Sequence, residues 1–300
     1  MFDKPKGGTE LMMEELKRRL PESVFDRFSI FNYPDQADHS KRLIYWNQLS
    51  YDQQAVNFLN YKENIDKIEH FVFVSNWQFE QFRKRFNIPG ERSTIIENAH
   101  LGVRKKLEFS DKIKCVYTST PWRGLDVLLK AFEMLDDQNV TLDIYSSTKI
   151  YGNSFSQSEE QKYEPLYDWA EQIKNVNYIG NIPNQELREK LNEYDILVYP
   201  CTFEETSCIS VIEAISCGLF VVTSSLGALP ETCQGNCNMY AYINDKEIHA
   251  EIFKQKLQET IENIRQGVEI RHFRNRDDYH ERFSWETRIK EWKKLISKLK

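Results

Sequence analysis

The chain lacks the marks of several large protein classes. None of its apolar runs approaches the ~20 residues that a membrane-spanning helix needs. Its start is polar and glycine-containing, so we expect no apolar secretion signal. There is no basic surplus either, since the net charge is −6 and the pI is about 5.7. Because nucleic-acid-binding proteins usually present a basic surface, that class is disfavoured.

Patterns for metals, disulfides and common hydrolases are also missing. Cys233 and Cys237 have no second Cys or His pair at zinc-ligand spacing. The six cysteines instead indicate reduced, buried thiols, as in a cytoplasmic protein. The sequence contains no Asp-x-Asp motif, Walker loop or Ser/His/Asp signature. We therefore expect a cytoplasmic protein that requires no metal and no cofactor.

What the chain does contain is an alternation of strand and helix patterns. Short apolar runs such as Leu43–Trp46, Phe71–Val74 and Ile113–Tyr117 predict buried strands of parallel sheets. Strands that alternate with helices form βαβ units with right-handed crossovers. Two such series predict an α/β fold with two Rossmann-like, doubly wound domains, and the boundary falls near residues 100–111.

Three segments between and after these runs receive local assignments. Gln53–Ile68 is predicted to be a helix, and the polar stretch Ser146–Glu164 an exposed loop. A last helix, Trp285–Leu299, follows Ser284 as its N-cap. One face of this helix is apolar, and five Lys and Arg residues occupy the other. The helix either packs on the domain junction or rests its basic face on anionic lipid.

The most specific pattern lies in the segment 203–231, where a polar loop leads into a helix near residues 207–209. The loop brings Glu205 to the start of this helix, and Glu213 follows within an apolar run. A buried carboxylate is costly unless it is paired or hydrogen-bonded. Glu213 is therefore either half of a structural ion pair or a clamp on two vicinal hydroxyls. The free N–H groups of the first turn predict an anion pocket, formed by Thr206, Ser207, Cys208 and Ile209.

Two further segments carry candidate phosphate-binding residues. Arg123 precedes Gly124 between a strand and a helix, and an Arg fork suits a diphosphate. Gly7 and Gly8 precede the first helix, where backbone can approach a ligand closely. Arg123 could instead be a solvated surface arginine, and Gly7 and Gly8 could instead be a flexible start of the chain.

Together these segments resemble the donor-site signature of the retaining, family 4 glycosyltransferases of the GT-B fold. That signature runs Glu, seven residues, Glu, then Ala-small-small-Gly, two hydrophobic residues and a Gly-x-x-Glu loop. Here it appears as Glu205, Glu213, Ala214–Gly218, Val221–Val222 and Gly227–Glu231, where three residues rather than two separate the Gly from the Glu. The resemblance is strong over residues 113–231 and loose over residues 1–100. Thr118–Thr120 stands where the family usually has a second basic residue. Only six residues come before Gly7, too few for the strand that would precede it, so we expect either a shortened N-terminal domain or a true start that lies upstream.

The resemblance implies a role for each candidate. Glu205 would contact hydroxyls of the donor sugar and Glu213 the ribose hydroxyls, while Arg123 would stabilise the leaving diphosphate. Gly7 and Gly8 would approach the donor phosphate together with the amides of residues 206–209. The family often places a histidine near the transferred sugar; here the matching strand end offers Asn47 or Gln48. Asn181–Pro183 would lie near the base.

The implied activity is metal-independent transfer of a sugar from a nucleotide-diphosphate sugar to a glycan, lipid-linked or protein acceptor, with retention of anomeric configuration. Residues 1–105 would form the acceptor-side domain, with helix 284–300 packing back near it. Residues 106–283 would form the donor-binding domain. Alternatives are an epimerase or phosphorylase on the same fold, or a nucleotide-sugar-binding module or subunit without activity of its own. The sequence leaves the sugar, base and acceptor open.

Overall fold

The computed structural model describes residues 7–101, 111–148, 153–267 and 276–299, and the first part of the chain builds a parallel sheet of four strands. The strands follow one another in chain order, and each pairs in parallel with the next. The side chains of the first three strands are almost continuously buried because helices cover both faces of the sheet, whereas those of the fourth strand are half-buried. The strands are β1 (Phe28–Phe31), β2 (Arg42–Trp46), β3 (Ile68–Phe73) and β4 (Ser93–Ile95).

The helices of this half depart from the predicted pattern at one place. Residues predicted as one helix over Gln53–Ile68 form a 3-10 turn, a short helix and the start of β3. Ile68 pairs with Leu43 in the sheet, and this pairing outweighs local helix propensity. Ser75 caps the fourth helix by accepting from the amide of Gln78. The helices are α1 (Gly8–Arg19), α2 (Glu22–Arg27), α3 (Lys62–Lys67) and α4 (Asn76–Phe86).

The second part of the chain builds a parallel sheet of six strands in the order β10-β9-β8-β5-β6-β7. The order reverses between β5 and β8, which is the switch point where doubly wound sheets bind ligands. The two sheets confirm the predicted α/β fold with two Rossmann-like domains. The strands are β5 (Ile113–Tyr117), β6 (Val140–Ile144), β7 (Val176–Tyr178), β8 (Ile196–Tyr199), β9 (Phe220–Ser224) and β10 (Asn238–Tyr240).

One helix of this half replaces most of the loop predicted over Ser146–Glu164. The helix begins at Asn153 and is anchored by Glu160, whose buried carboxylate accepts hydrogen bonds from the backbone and hydroxyl of Thr148 and the hydroxyl of Ser147. The loop prediction, which rested on the polar composition of this segment, was therefore wrong for the residues that form the helix. The helices are α5 (Leu125–Glu133), α6 (Asn153–Gln172), α7 (Asn184–Lys190), α8 (Ile209–Cys217), α9 (Leu229–Cys233), α10 (Lys246–Arg265) and α11 (Arg276–Arg282).

The last helix, α12 (Trp285–Lys298), packs on the first sheet. The rings of Trp292 and Trp46 meet edge to face, with centroids 5.2 Å apart. Ser284 caps the helix as predicted. The predicted basic face is smaller than expected, because Arg288 is buried and ion-paired with Glu97. Within the described ranges, no helix has the length and apolarity to cross a bilayer. The domain boundary predicted near residue 105 lies outside the described residues.

Candidate donor-binding cleft

A cavity of about 230 Å³ lies between the carboxyl ends of the two sheets. Strands that end at one edge of a sheet deliver their following loops to the same place, and this is how residues far apart in sequence meet here. The first half supplies mainly neutral groups, among them Gly7, Gly8, Tyr33, Gln48 and Asn98. The second half supplies the loop after β5, the loop after β8 and the start of α8.

The start of α8 provides the most regular part of the wall. Cys208, its N-cap residue, makes no side-chain capping bond, so the first-turn amides lack the partner that a Ser or Asp cap would offer. Residues Thr206–Ile209 all line the cavity. A helix N-terminus with uncapped amides favours an anionic ligand. The segment that was predicted to bind phosphate thus lies in the wall of the cavity.

Arg123 and Glu205, which were predicted to bind different parts of a ligand, form an ion pair with each other. A guanidinium nitrogen of Arg123 lies 2.7 Å from Glu205 Oε1. The hydroxyl of Tyr199, the last residue of β8, donates to the same oxygen at 2.5 Å. Both charged side chains line the cavity. Glu205 is 3% exposed, so these donors offset the cost of its burial.

The backbone around Glu205 is fixed by the loop after β9. The amide of Ala228 donates to the Glu205 carbonyl at 2.7 Å. Gly227 has φ +62°, and a Cβ at this position would lie 2.6 Å from both the nitrogen and the carbonyl oxygen of Glu205. Only glycine fits such an approach without displacing backbone. Gly227, in the predicted loop Gly227–Glu231, therefore allows the backbone of Glu205 to pack directly against it.

Glu213 lies on α8 and also lines the cavity. Its carboxyl is surrounded largely by protein, and burial raises its pKa to about 7. The positive charge of Arg188 and a hydrogen bond from the backbone of Leu101 oppose that rise without cancelling it. A carboxyl that titrates near neutrality can change charge when a ligand binds.

The far end of the cavity is lined by Tyr145, Asn181 and Ile182. Tyr145 bonds to the hydroxyl of Tyr194 at 2.8 Å, and Tyr194 donates to Asp143 at 2.6 Å. Asn181 and Ile182 belong to the segment that was predicted to lie near the base. Tyr145 and Tyr199 were missed; each ends or follows a strand beside the switch point, and that position was the signal available.

Asn47, which was predicted at the end of a central strand near the sugar, does not line the cavity. Its side chain is buried and caps its own turn, with Oδ1 accepting from the amide of Leu49 and from the hydroxyl of Tyr45. The prediction for Asn47 is therefore corrected in favour of its neighbour. Gln48 reaches the cavity and exchanges two amide hydrogen bonds with Asn98, at 2.9 and 3.0 Å.

Several contacts join the two halves around this cavity. A Cβ on Gly8 would lie 2.7 Å from a side-chain carbon of Ile209, so the glycine loop packs directly on α8. Tyr51 donates to Glu204 at 3.1 Å, and the Thr206 hydroxyl donates to the Gln48 carbonyl at 3.2 Å. The two halves are therefore in direct contact beside the cavity.

Two Rossmann-like domains that face each other across a cleft define the GT-B class of fold. A family model described as glycosyl transferases group 1 matches residues 103–267. This match covers more than half of the chain, and the chain belongs to that family.

Individual relatives agree with this assignment. The O-antigen chain mannosyltransferase B of Escherichia coli is 23% identical over 260 residues, which cover 81% of this chain and 63% of the relative. The GPI3 subunit of the phosphatidylinositol N-acetylglucosaminyltransferase of Saccharomyces cerevisiae is 24% identical over 190 residues, 59% of this chain and 40% of the relative. The chain thus spans less than two thirds of the length of these curated relatives.

Solved structures show the same fold. The sucrose-phosphate synthase from Thermosynechococcus elongatus superimposes with a TM-score of 0.68 at 16% identity, covering 95% of this chain and 79% of that one. HepE from Anabaena, in complex with UDP-glucose, gives 0.65 at 15% identity, covering 86% and 73%. At this identity the likeness establishes the GT-B architecture alone.

Proposed function

We propose that the protein is a glycosyltransferase that moves a sugar from a nucleotide-diphosphate sugar to an acceptor with retention of anomeric configuration, as the family 4 signature implies. The observation that carries the proposal is the meeting of Arg123, Glu205, Glu213 and the uncapped start of α8 in one cavity. The family assignment and the UDP-glucose complex of HepE support a nucleotide-sugar donor.

The proposed roles follow the chemistry of each group. Arg123 and the amides of residues 206–209 stabilise the leaving diphosphate, whose charge grows as the sugar departs. Glu205 orients the sugar, and Glu213 accepts hydrogen bonds from the ribose hydroxyls. Since these fixed groups supply the positive charge, we propose that transfer needs no metal. The donor phosphate takes the proton from the acceptor.

We assign the acceptor to the half built on the first sheet, together with α12. The apolar side of α12 packs against that sheet, so a membrane would meet the exposed face of the helix, which carries four lysines. These are Lys290, Lys293, Lys294 and Lys298. We propose a salt-sensitive contact with anionic lipid. Co-sedimentation with anionic but not neutral vesicles tests it, and absence of binding at low salt would remove it.

The test of the proposed function begins with donor binding. Thermal shifts are measured with a panel of nucleoside diphosphates and nucleotide sugars, with EDTA and with Mg²⁺. Stabilisation by one nucleotide in EDTA that is weakened in Glu213→Ala supports the donor site. Glu189→Ala, an exposed change on α7, is the matched control. If no nucleotide stabilises the wild-type protein, the proposal is wrong.

Catalysis is tested on the nucleotide identified in this way. Release of free nucleoside diphosphate from the donor, with and without glycan, lipid-linked and peptide acceptors, distinguishes an enzyme from a binding module. NMR of the first product formed reports its anomeric configuration, and an inverted product contradicts the retaining mechanism. Binding without release under any condition favours a nucleotide-sugar-binding subunit.

A further inference from the structure

Tyr199 lies beneath the candidate donor site and touches one of its two glutamates. It ends β8, and its ring is buried in the core of the second half. Its hydroxyl therefore reaches the cavity wall from the interior, where it donates to Glu205 Oε1 at 2.5 Å. Arg123 donates to that same oxygen from the cavity side, at 2.7 Å.

These two donors respond differently to an anionic ligand. A diphosphate carries more negative charge than a carboxylate and accepts a guanidinium fork in two-point geometry. A donor that enters beside Arg123 would therefore draw its guanidinium away from Glu205. The carboxylate, which is almost wholly buried, would then depend on Tyr199, its other side-chain partner among the described residues.

We infer that Tyr199 is a positioning residue that holds the Glu205 carboxylate against the donor sugar while Arg123 turns to the diphosphate. The inference rests on the proposed function. The backbone of Glu205 is already fixed by Ala228 and Gly227, so only its side-chain torsions remain free to move. A hydrogen bond from a rigid, core-packed phenol restrains those torsions.

Tyr199 is suited to this role because it keeps its proton. Burial raises the pKa of Tyr199 well above its usual value, and the negative charge of Glu205 acts in the same direction. The hydroxyl thus remains a donor throughout the working pH range.

Tyr117 provides a matched control. It ends the neighbouring strand β5, its ring is equally buried, and the two ring centroids are 6.0 Å apart. Its hydroxyl donates to the carbonyl of Thr120 at 2.8 Å rather than to a carboxylate. Tyr117→Phe therefore removes a hydroxyl of similar burial from beneath the phosphate-side loop and leaves Glu205 with both donors.

The test compares ligands with and without a sugar. Dissociation constants of UDP, UDP-glucose, GDP and GDP-mannose are measured by calorimetry for wild type, Tyr199→Phe and Tyr117→Phe, and thermal melts verify folding. The diagnostic quantity is the affinity for the nucleotide sugar divided by that for its nucleoside diphosphate. We expect Tyr199→Phe to lower this ratio about fivefold or more, in line with the loss of a hydrogen bond to a charged group. We expect Tyr117→Phe to leave the ratio within about twofold.

A double-mutant cycle shows whether Tyr199 acts through Glu205. Glu205→Gln should lower the same ratio, and adding Tyr199→Phe should lower it little further. Equal loss of both ligand types in Tyr199→Phe, an unchanged ratio, or additive effects in the double variant would overturn the inference. If wild type binds none of the four nucleotides, the proposed function fails and takes the inference with it. The wild-type titrations alone thus separate the two failures.

Discussion

The carboxylate of Glu231 accepts a hydrogen bond from the backbone amide of Trp77 at 2.6 Å, and this contact joins the two halves of the molecule. The amide of Asn76 donates to the other oxygen at 2.8 Å. Both amides belong to the first turn of α4, where unpaired N–H groups and the helix dipole favour a negative charge. Glu231, the last residue of the loop Gly227–Glu231, therefore caps a helix in the opposite half.

Glu231→Ala removes this cap, and we expect the halves to separate more easily. The contact should be worth about 1 kcal/mol, as for other charged caps. Thermal denaturation should occur a few degrees lower, and small-angle X-ray scattering should report a larger radius of gyration. Glu80→Ala, which removes a carboxylate that pairs with Arg83 on the surface of the same helix, is the control and should change neither value. An unchanged scattering profile for Glu231→Ala would contradict the capping role.

Gly227→Ala and Gly235→Ala form a second matched pair. Both glycines have positive φ, at +62° and +77°, so alanine strains the backbone at either position. A Cβ at Gly235 meets open space, whereas at Gly227 it meets the backbone of Glu205 at 2.6 Å. We expect Gly235→Ala to lower the free energy of unfolding by about 1–2 kcal/mol. Gly227→Ala should cost more and also weaken nucleotide-sugar binding. Equal effects in urea titrations would show that Glu205 does not need the close approach.

The raised pKa of Glu213 makes stability depend on pH. Because the folded protein binds this proton more tightly than the unfolded chain, the contribution is present below the ordinary Glu pKa of 4.5 and is lost as pH rises through about 7. Glu213→Gln should remove this loss and make the free protein more stable than wild type at pH 8 by about 1–3 kcal/mol. At pH 5 the difference should be small. Urea unfolding at both pH values checks it, and a pH-independent difference would refute it.

The same carboxyl should couple nucleotide binding to proton release. Ribose hydroxyls that donate to Glu213 favour its ionised form, so binding should tighten between about pH 6 and pH 8 and release a fraction of a proton. Calorimetry in two buffers with different ionisation enthalpies measures that fraction. Proton uptake would indicate that the ligand lies elsewhere.

Arg123→Met should weaken binding of a nucleoside diphosphate about tenfold to a hundredfold, because it removes a charge-assisted donor to phosphate. It also leaves Glu205 with Tyr199 as its remaining side-chain partner among the described residues, so a modest loss of stability should accompany it. Lys130→Met, which removes a surface cation paired with Glu247 on the same half, is the control. Similar losses for both variants would mean that the effect is one of net charge.

The sequence predicted most of the fold because the strand and helix patterns are local and parallel sheets bury almost every strand side chain. It predicted where α8 begins and which segment carries Glu205 and Glu213, since one continuous stretch encodes them. The roles given to these residues remain predictions. The predictions for Asn47 and for the loop after β6 needed tertiary information. The side-chain oxygen of Asn47 accepts a hydrogen bond within its own turn, and α6 is anchored through Glu160.

Contacts between distant segments were out of reach for the same reason. Nothing local to Glu231 indicates that it will meet the start of α4, and nothing local to Tyr199 indicates its bond to Glu205. The pairing of Arg123 with Glu205 likewise depends on two loops that follow different strands of one sheet. Such contacts require the packed arrangement of the whole molecule.

The described residues that flank the two passages of the chain between the halves contact each other. Glu97, at the first passage, binds Arg282 and Arg288, which flank the second. The amide of His100 also donates to the Phe283 carbonyl at 2.9 Å. The two passages are therefore held together and act as a single hinge. Rotation of one half about this hinge can open and close the cleft, whereas twisting or sliding of the halves would break these ion pairs and hydrogen bonds. We therefore expect the cleft always to open first at the same edge.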